Sequence, residues 1–161
     1  MHCIVVELSK KPIKPSDRTA SYVLPAWFTS GIAEYVNDVS EEIRDSELDQ
    51  FVHSFWGNCR RDKNKLKFSK RMKLNYFQFK YQEFKAAAAV LSFVDEDVFA
   101  GVEYSDPFNI AMGTLSRSYE DKFGCYIYDH DYGELKTLDA WVREMEPDKP
   151  YYVGAVMDYK A

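Results

Sequence analysis

The sequence predicts an α+β fold: a small mixed or antiparallel sheet that includes the N- and C-terminal strands, packed by four to five helices. Three observations lead there. A β-branched run, Cys3-Ile4-Val5-Val6-Glu7-Leu8, opens the chain, and a second run, Tyr151 to Tyr159, closes it. Between them lie segments whose apolar residues recur every three or four positions, the period of a helix face. No repeat and no Gly/Ser- or Pro-rich linker divides the chain, so residues 1–161 are expected to form one globular domain.

Element by element, Lys10 to Asp17 reads as a surface connection, since it carries Pro12 and Pro15 and has no periodicity. Tyr22 to Phe28 reads as extended or irregular, because Pro25 lacks an amide donor and disfavours helix at Leu24. Ser30 reads as an N-cap, with Ile32, Tyr35, Val36, Val39 and Ile43 following at helical spacing. Ser46-Glu47-Leu48-Asp49 reads as the cap of another helix, with Leu48, Phe51, Val52 and Phe55 inward and its end near Gly57. Residues 70–92 are expected to be helical. Leu74, Phe77, Tyr81, Phe84, Ala88 and Leu91 share one face, and the Ala86–Ala89 run favours helix over the strand-like alternation of Phe77, Phe79 and Tyr81. Asp106 as N-cap and Pro107 as first helical residue open a further helix, lined by Ile110, Thr114, Leu115 and Tyr119 and closed by Gly124. Cys125 to Tyr128 reads as a strand, Asp131-Tyr132-Gly133 as a turn, and Thr137 to Met145 as a short helix stopped by Pro147.

Composition narrows the class. Aromatic residues make up 16% of the chain, too many for a disordered segment, and 7 Gly with 6 Pro are too few for a fibrous one. No apolar run approaches the roughly 20 residues of a membrane span. The three cysteines are odd in number and lack a CxxC pair, and no signal peptide is legible at the N-terminus, so a cytoplasmic location is expected.

The formal charge of −5 conceals a strong segregation. Residues 1–59 carry −4, residues 60–85 carry +8, and residues 86–161 carry −9. Arg60, Arg61, Lys63, Lys70, Arg71 and Lys73 in the basic block are candidate phosphate-binding residues, with Phe68, Tyr76, Phe77, Phe79 and Tyr81 available for base stacking. A charge run also serves as an ordinary solvated face, or can pair with acids inside the same molecule. At the other end, Tyr128, Asp129, Asp131, Tyr132 and Glu134 form a candidate acidic, tyrosine-bearing binding surface for a basic partner.

Catalytic constellations are scarce. Asp95-Glu96-Asp97 and Asp129-His130-Asp131 are dense enough to consider for Mg²⁺ or Ca²⁺, but neither has the spacing of a calcium loop. Asp129 or Asp131 followed by Glu134-Leu135-Lys136 resembles the acidic-x-Lys signature of metal-dependent nucleases, and that resemblance implies two carboxylates on an ion and a lysine at the phosphate. His2, His53 and His130 lie in no zinc or triad motif, and no glycine-rich phosphate loop or G-x-S-x-G elbow occurs. The expectation is therefore a non-catalytic protein without metal or cofactor. Its leading function is an inhibitor or immunity-type module that blocks a protein partner. The alternatives are nucleic-acid binding through residues 60–85 and a metal-dependent hydrolase at Asp129, Asp131, Glu134 and Lys136.

Overall fold

A computed structural model describes residues 2–161 of the chain. In chain order its strands are β1 (His2–Ser9), β2 (Tyr35–Asp38), β3 (Cys59–Asp62), β4 (Lys65–Phe68), β5 (Tyr126–Asp129), β6 (Glu134–Thr137) and β7 (Tyr151–Lys160). The helices are α1 (Ala26–Thr29), α2 (Glu41–His53), α3 (Met72–Leu91), α4 (Glu96–Phe99), α5 (Asp106–Tyr119) and α6 (Leu138–Glu144). The chain divides into two compact units, Met1–Asn75 with Lys122–Ala161, and Tyr76–Asp121.

The first unit holds a seven-stranded mixed sheet in the order β3-β4-β7-β1-β5-β6, with β2 also paired to β7. The fold is thus α+β, with strands from both ends of the chain. β1 runs antiparallel to β7 and parallel to β5, with Val5 opposite Met157 on one side and Tyr126 on the other. Both central strands are buried along most of their length, which explains their near-continuous apolar sequences. Two aromatic clusters pack the sheet. Phe28 of α1 meets Tyr126 at 4.7 Å and Tyr159 at 5.0 Å between ring centroids. Phe51, Phe55, Phe68, Trp141 and Tyr151 form a chain of edge-to-face and tilted contacts.

β7 carries the structural peculiarity of this sheet. Between Val6 and Leu8 its register against β1 shifts, so that Gly154 and Ala155 lie opposite the single residue Glu7, a β-bulge. On its other edge β4 pairs with Tyr151 and Tyr152 and β2 with residues 157–160, leaving the bulge between them. Arg44 of α2 fills that gap. Its Nε donates to the Gly154 carbonyl at 2.9 Å, and its Nη2 donates to the carbonyls of Gly154 (2.7 Å) and Val153 (3.2 Å) and to Asn64 Oδ1 (2.9 Å). Glu7 closes the bulge from the β1 side by accepting the Ala155 amide at 2.6 Å.

Several expected elements differ. Residues 32–43 do not form a helix capped by Ser30: Tyr35 to Asp38 pair with β7, and α2 starts after Ser40, whose hydroxyl accepts the Ile43 amide. Ser46 lies inside α2 rather than capping a second helix. Helix α1 begins directly after Pro25, where an irregular segment is expected. Residues 59–68, for which the sequence predicts no element, form the β3–β4 hairpin, and Glu134–Thr137, where no strand is expected, form β6 and pair with β5. α5 is capped by Ser105, which places Asp106 and Pro107 inside it, and it ends at Tyr119 rather than at Gly124.

The second unit consists of α3 from Tyr76 onward, α4 and α5. Its buried residues are small, Ala87, Ala111 and Ser118, while Phe79, Tyr81, Ile110 and Tyr119 are exposed. The face of α3 expected to form a core around Phe77 and Phe84 is therefore only half-buried.

Candidate functional site

The basic block is resolved into two populations by the β3–β4 hairpin. Alternation along the strands puts Cys59 and Arg61 of β3 opposite Phe68 and Leu66 of β4 on the packed face, and Arg60 and Asp62 opposite Lys67 and Lys65 on the outer face. On the packed face, Arg61 is consumed inside the fold. It forms ion pairs with Asp45 and Asp49 of α2 and donates from Nε to the Lys63 carbonyl at 2.6 Å. Burial disfavours its charge, but the two carboxylates outweigh this and raise its pKa. Lys73 is likewise engaged, donating from Nζ to the Arg143 carbonyl at 2.6 Å.

Among the described residues, Arg60, Lys63, Lys67, Lys70 and Arg71 are exposed and make no ion pair. Arg60 and Lys67 are direct cross-strand partners. Like charges directly opposite each other destabilise a sheet, so this arrangement is a local cost of the fold. Lys65 lies over the Tyr152 ring at 6.0 Å from its centroid. Lys63 sits at the hairpin tip with φ 53°, and Lys70 and Arg71 follow the hairpin at the start of α3. Lys67 was outside the residues singled out by the sequence. Its signal was the alternation of Lys65, Leu66, Lys67 and Phe68, legible once this segment is taken as a strand.

The acidic candidates lie at the opposite edge of the same sheet order. A pocket of about 460 Å³ opens at the carboxyl ends of the parallel strands β1 and β5, the usual place for ligands in sheets with parallel pairs. Asp129, Asp131, Tyr132, Glu134, Lys136 and Glu144 line its polar part, and Trp141 and Tyr151 its apolar part. Tyr132 is exposed, whereas Tyr128 is 8% exposed and belongs to the core, away from any contact surface. Most charges are already matched. Lys10 pairs with Glu146 at 2.7 Å, and Lys136 with Glu134 at 3.2 Å and with Glu144. Asp131 accepts Ser9 Oγ at 2.6 Å and the Lys10 amide at 2.8 Å; these bonds prevail over burial and hold its pKa low. Asp129 accepts the amides of Asp131 and Tyr132, yet burial prevails and raises its pKa. Among the described residues no three His, Cys, Asp or Glu side chains gather into a possible ion site, so Asp129, Asp131 and Glu134 share a pocket without forming a metal cage.

A further polar cluster surrounds Glu7 of β1, which the sequence does not mark as a site. Glu7 is fully buried and accepts Thr19 Oγ1 (2.6 Å), the Thr19 amide (3.0 Å), the Ala155 amide (2.6 Å) and His130 Nδ1 (2.6 Å). Burial opposes its ionisation, but the bonds from Thr19, Ala155 and His130 overcome that and lower its pKa. An ionised carboxylate only accepts, so His130 presents Nδ1–H to it. No sequence motif marks this cluster, since Glu7 lies 123 positions from His130 and 148 from Ala155.

Comparison with known protein families, with curated proteins and with solved structures finds no match for this chain.

Proposed function

We propose that the protein is a non-catalytic binding protein that holds a nucleic-acid backbone on the outer face of the β3–β4 hairpin. The observation that carries this reading is the set of exposed, unpaired cations Arg60, Lys63, Lys67, Lys70 and Arg71, with Arg60 directly opposite Lys67. A phosphate between two such groups turns a repulsive pair into a binding site. Arg61 ties the hairpin to α2 and Lys73 is engaged with the Arg143 carbonyl, so neither is part of the contact.

Fluorescence anisotropy with a labelled oligonucleotide tests the reading. Binding should weaken steeply with salt, with a log–log slope of about −2 to −4 for a few neutralised phosphates. The combined substitution Arg60→Gln, Lys67→Gln, Lys70→Gln and Arg71→Gln should reduce affinity roughly 100-fold or more at low salt. Absence of binding to any oligonucleotide, or binding that ignores salt, refutes it.

A second reading, a blocking module for a basic protein partner, is favoured by the pocket at the ends of β1 and β5, where carboxylates surround an aromatic floor. A lysine- or arginine-bearing peptide should then shift the NMR signals of Tyr132, Asp129 and Glu134. Shifts confined to other surfaces count against it.

A further inference from the structure

We propose that the acidic, aromatic segment 93–106 is a docking surface for the basic β3–β4 hairpin of a second copy of this chain, so that self-association covers the cations of the hairpin. The inference uses the exposed cations of the reading above, but not their affinity for nucleic acid.

The segment is unusual on two counts. Phe93 is 87% exposed, Phe99 76%, Val102 75% and Tyr104 82%. Aromatic side chains of roughly 150–250 Å² each, together with Val102, leave an apolar area on the order of 500 Å² in solvent, which marks an interaction surface. Asp95, Glu96, Asp97, Glu103 and Asp106 lie between and beside them. All five are exposed, and none forms an ion pair among the described residues. No Lys or Arg occurs from residue 86 to residue 116, so nothing in the local chain neutralises these charges.

The segment is also held in shape. Asp95 Oδ1 accepts the Val98 amide at 2.9 Å and caps α4. Gly101, at φ 74°, turns the chain back, and the amides of Val102 and Glu103 donate to the Asp97 carbonyl at 2.8 and 3.1 Å. Phe99, Val102 and Tyr104 are therefore carried on one closed turn with carboxylates beside them.

Whatever covers such a surface must bring cations, and the same chain carries them. Arg60, Lys63, Lys67, Lys70 and Arg71 are exposed and unpaired, five positive charges against the five negative ones. Leu74, 69% exposed in the first turn of α3, adds an apolar contact beside them. Guanidinium and ammonium groups are attracted both to carboxylates and to aromatic faces, so the two surfaces match in charge and in chemistry. Acids set among aromatic rings also present to the hairpin what a nucleic-acid strand presents, negative groups beside flat apolar faces. A hairpin docked on segment 93–106 is closed to a strand. The contact joins two different surfaces and is therefore heterologous.

Sedimentation velocity tests this over protein concentrations from about 1 to about 100 μM. At low salt the mass of the intact protein should rise with concentration, and about 0.5 M salt should return it to monomer. One variant, Glu96→Gln with Asp97→Asn and Glu103→Gln, removes charge from the docking surface. A second, Lys67→Gln with Lys70→Gln and Arg71→Gln, removes it from the hairpin. Each alone should associate about tenfold more weakly or less still, at an unchanged melting temperature because the altered side chains are exposed. An equal mixture of the two should regain association, since each supplies the surface that the other lacks. Phe99→Ser with Tyr104→Ser should weaken association as the first variant does. A monomer at every concentration overturns the inference, as does association that ignores these substitutions or a mixture that stays monomeric. A 12-nucleotide oligo(dT) that binds should dissociate the assembly, and an assembly that persists with oligo(dT) bound overturns the inference. Failure of oligo(dT) to bind refutes the backbone reading alone, because self-association is measured without nucleic acid.

Discussion

Arg44→Met is expected to lower the unfolding free energy by roughly 3–5 kcal/mol, with a shifted midpoint and an unchanged slope in urea denaturation. Arg44 is 4% exposed and has no ion-pair partner among the described residues. Burial disfavours its charge, with repulsion from Arg18 adding to that, so the guanidinium is retained for its geometry. The bulge at Gly154 and Ala155 leaves two carbonyls of β7 pointing into a gap where neither β4 nor β2 reaches. A planar fork with several donors satisfies both carbonyls and Asn64 at once, in effect replacing a missing stretch of strand. Methionine matches much of the volume but leaves both carbonyls buried without a donor. Arg44→Lys should recover only part of the loss, because one ammonium cannot span the same three acceptors.

Glu7→Ala is expected to cost about 3 kcal/mol, since it strips acceptors from the amides of Thr19 and Ala155 and from His130. The same group gives the protein an acid sensitivity of defined sign. The folded state lowers the Glu7 pKa below its ordinary value of 4.5. Its contribution is therefore complete above about pH 4.5 and is lost as pH falls through the lower folded value. Urea midpoints measured from pH 7 down to pH 3 should fall more steeply for the intact protein than for Glu7→Gln, which has no charge to titrate. An identical fall in the two proteins would show that Glu7 carries no such linkage. Gly154→Ala should mimic the loss, because the new Cβ would overlap the Glu7 carboxylate.

Which parts of this molecule were legible in its sequence follows from how local each signal is. β1, β5 and β7 announce themselves because buried strands need continuous apolar runs, and α6 because Thr137 caps it and Pro147 follows it. α3 was recovered through its alanines, despite aromatic residues that alternate like a strand. Residues 32–43 misled because Ile32, Val36, Val39 and Ile43 keep a helical period by coincidence. Pairing of Tyr35 to Asp38 with the edge of β7, a contact across more than a hundred residues, overrides that local preference. The hairpin escaped because its tip, Lys63-Asn64, lacks the usual Asn-Gly pattern and obtains its left-handed residue from a lysine.

The candidate site was legible to the same extent. Its charge could be counted residue by residue, but the division into cations facing outward and cations consumed within required the strand register. The buried cluster at Glu7 joins four distant segments, and no local pattern encodes it.

The position of β7 has a consequence for how the protein comes into being. This strand pairs with β1, β2 and β4, yet of all residues in the sheet its own are the last to leave the ribosome. Until they emerge, β1 presents an apolar edge with no antiparallel partner, and Arg44 and Glu7 have no bulge to close. Assembly of the sheet therefore waits for β7, and until then the edge of β1 is open to pairing with other strands.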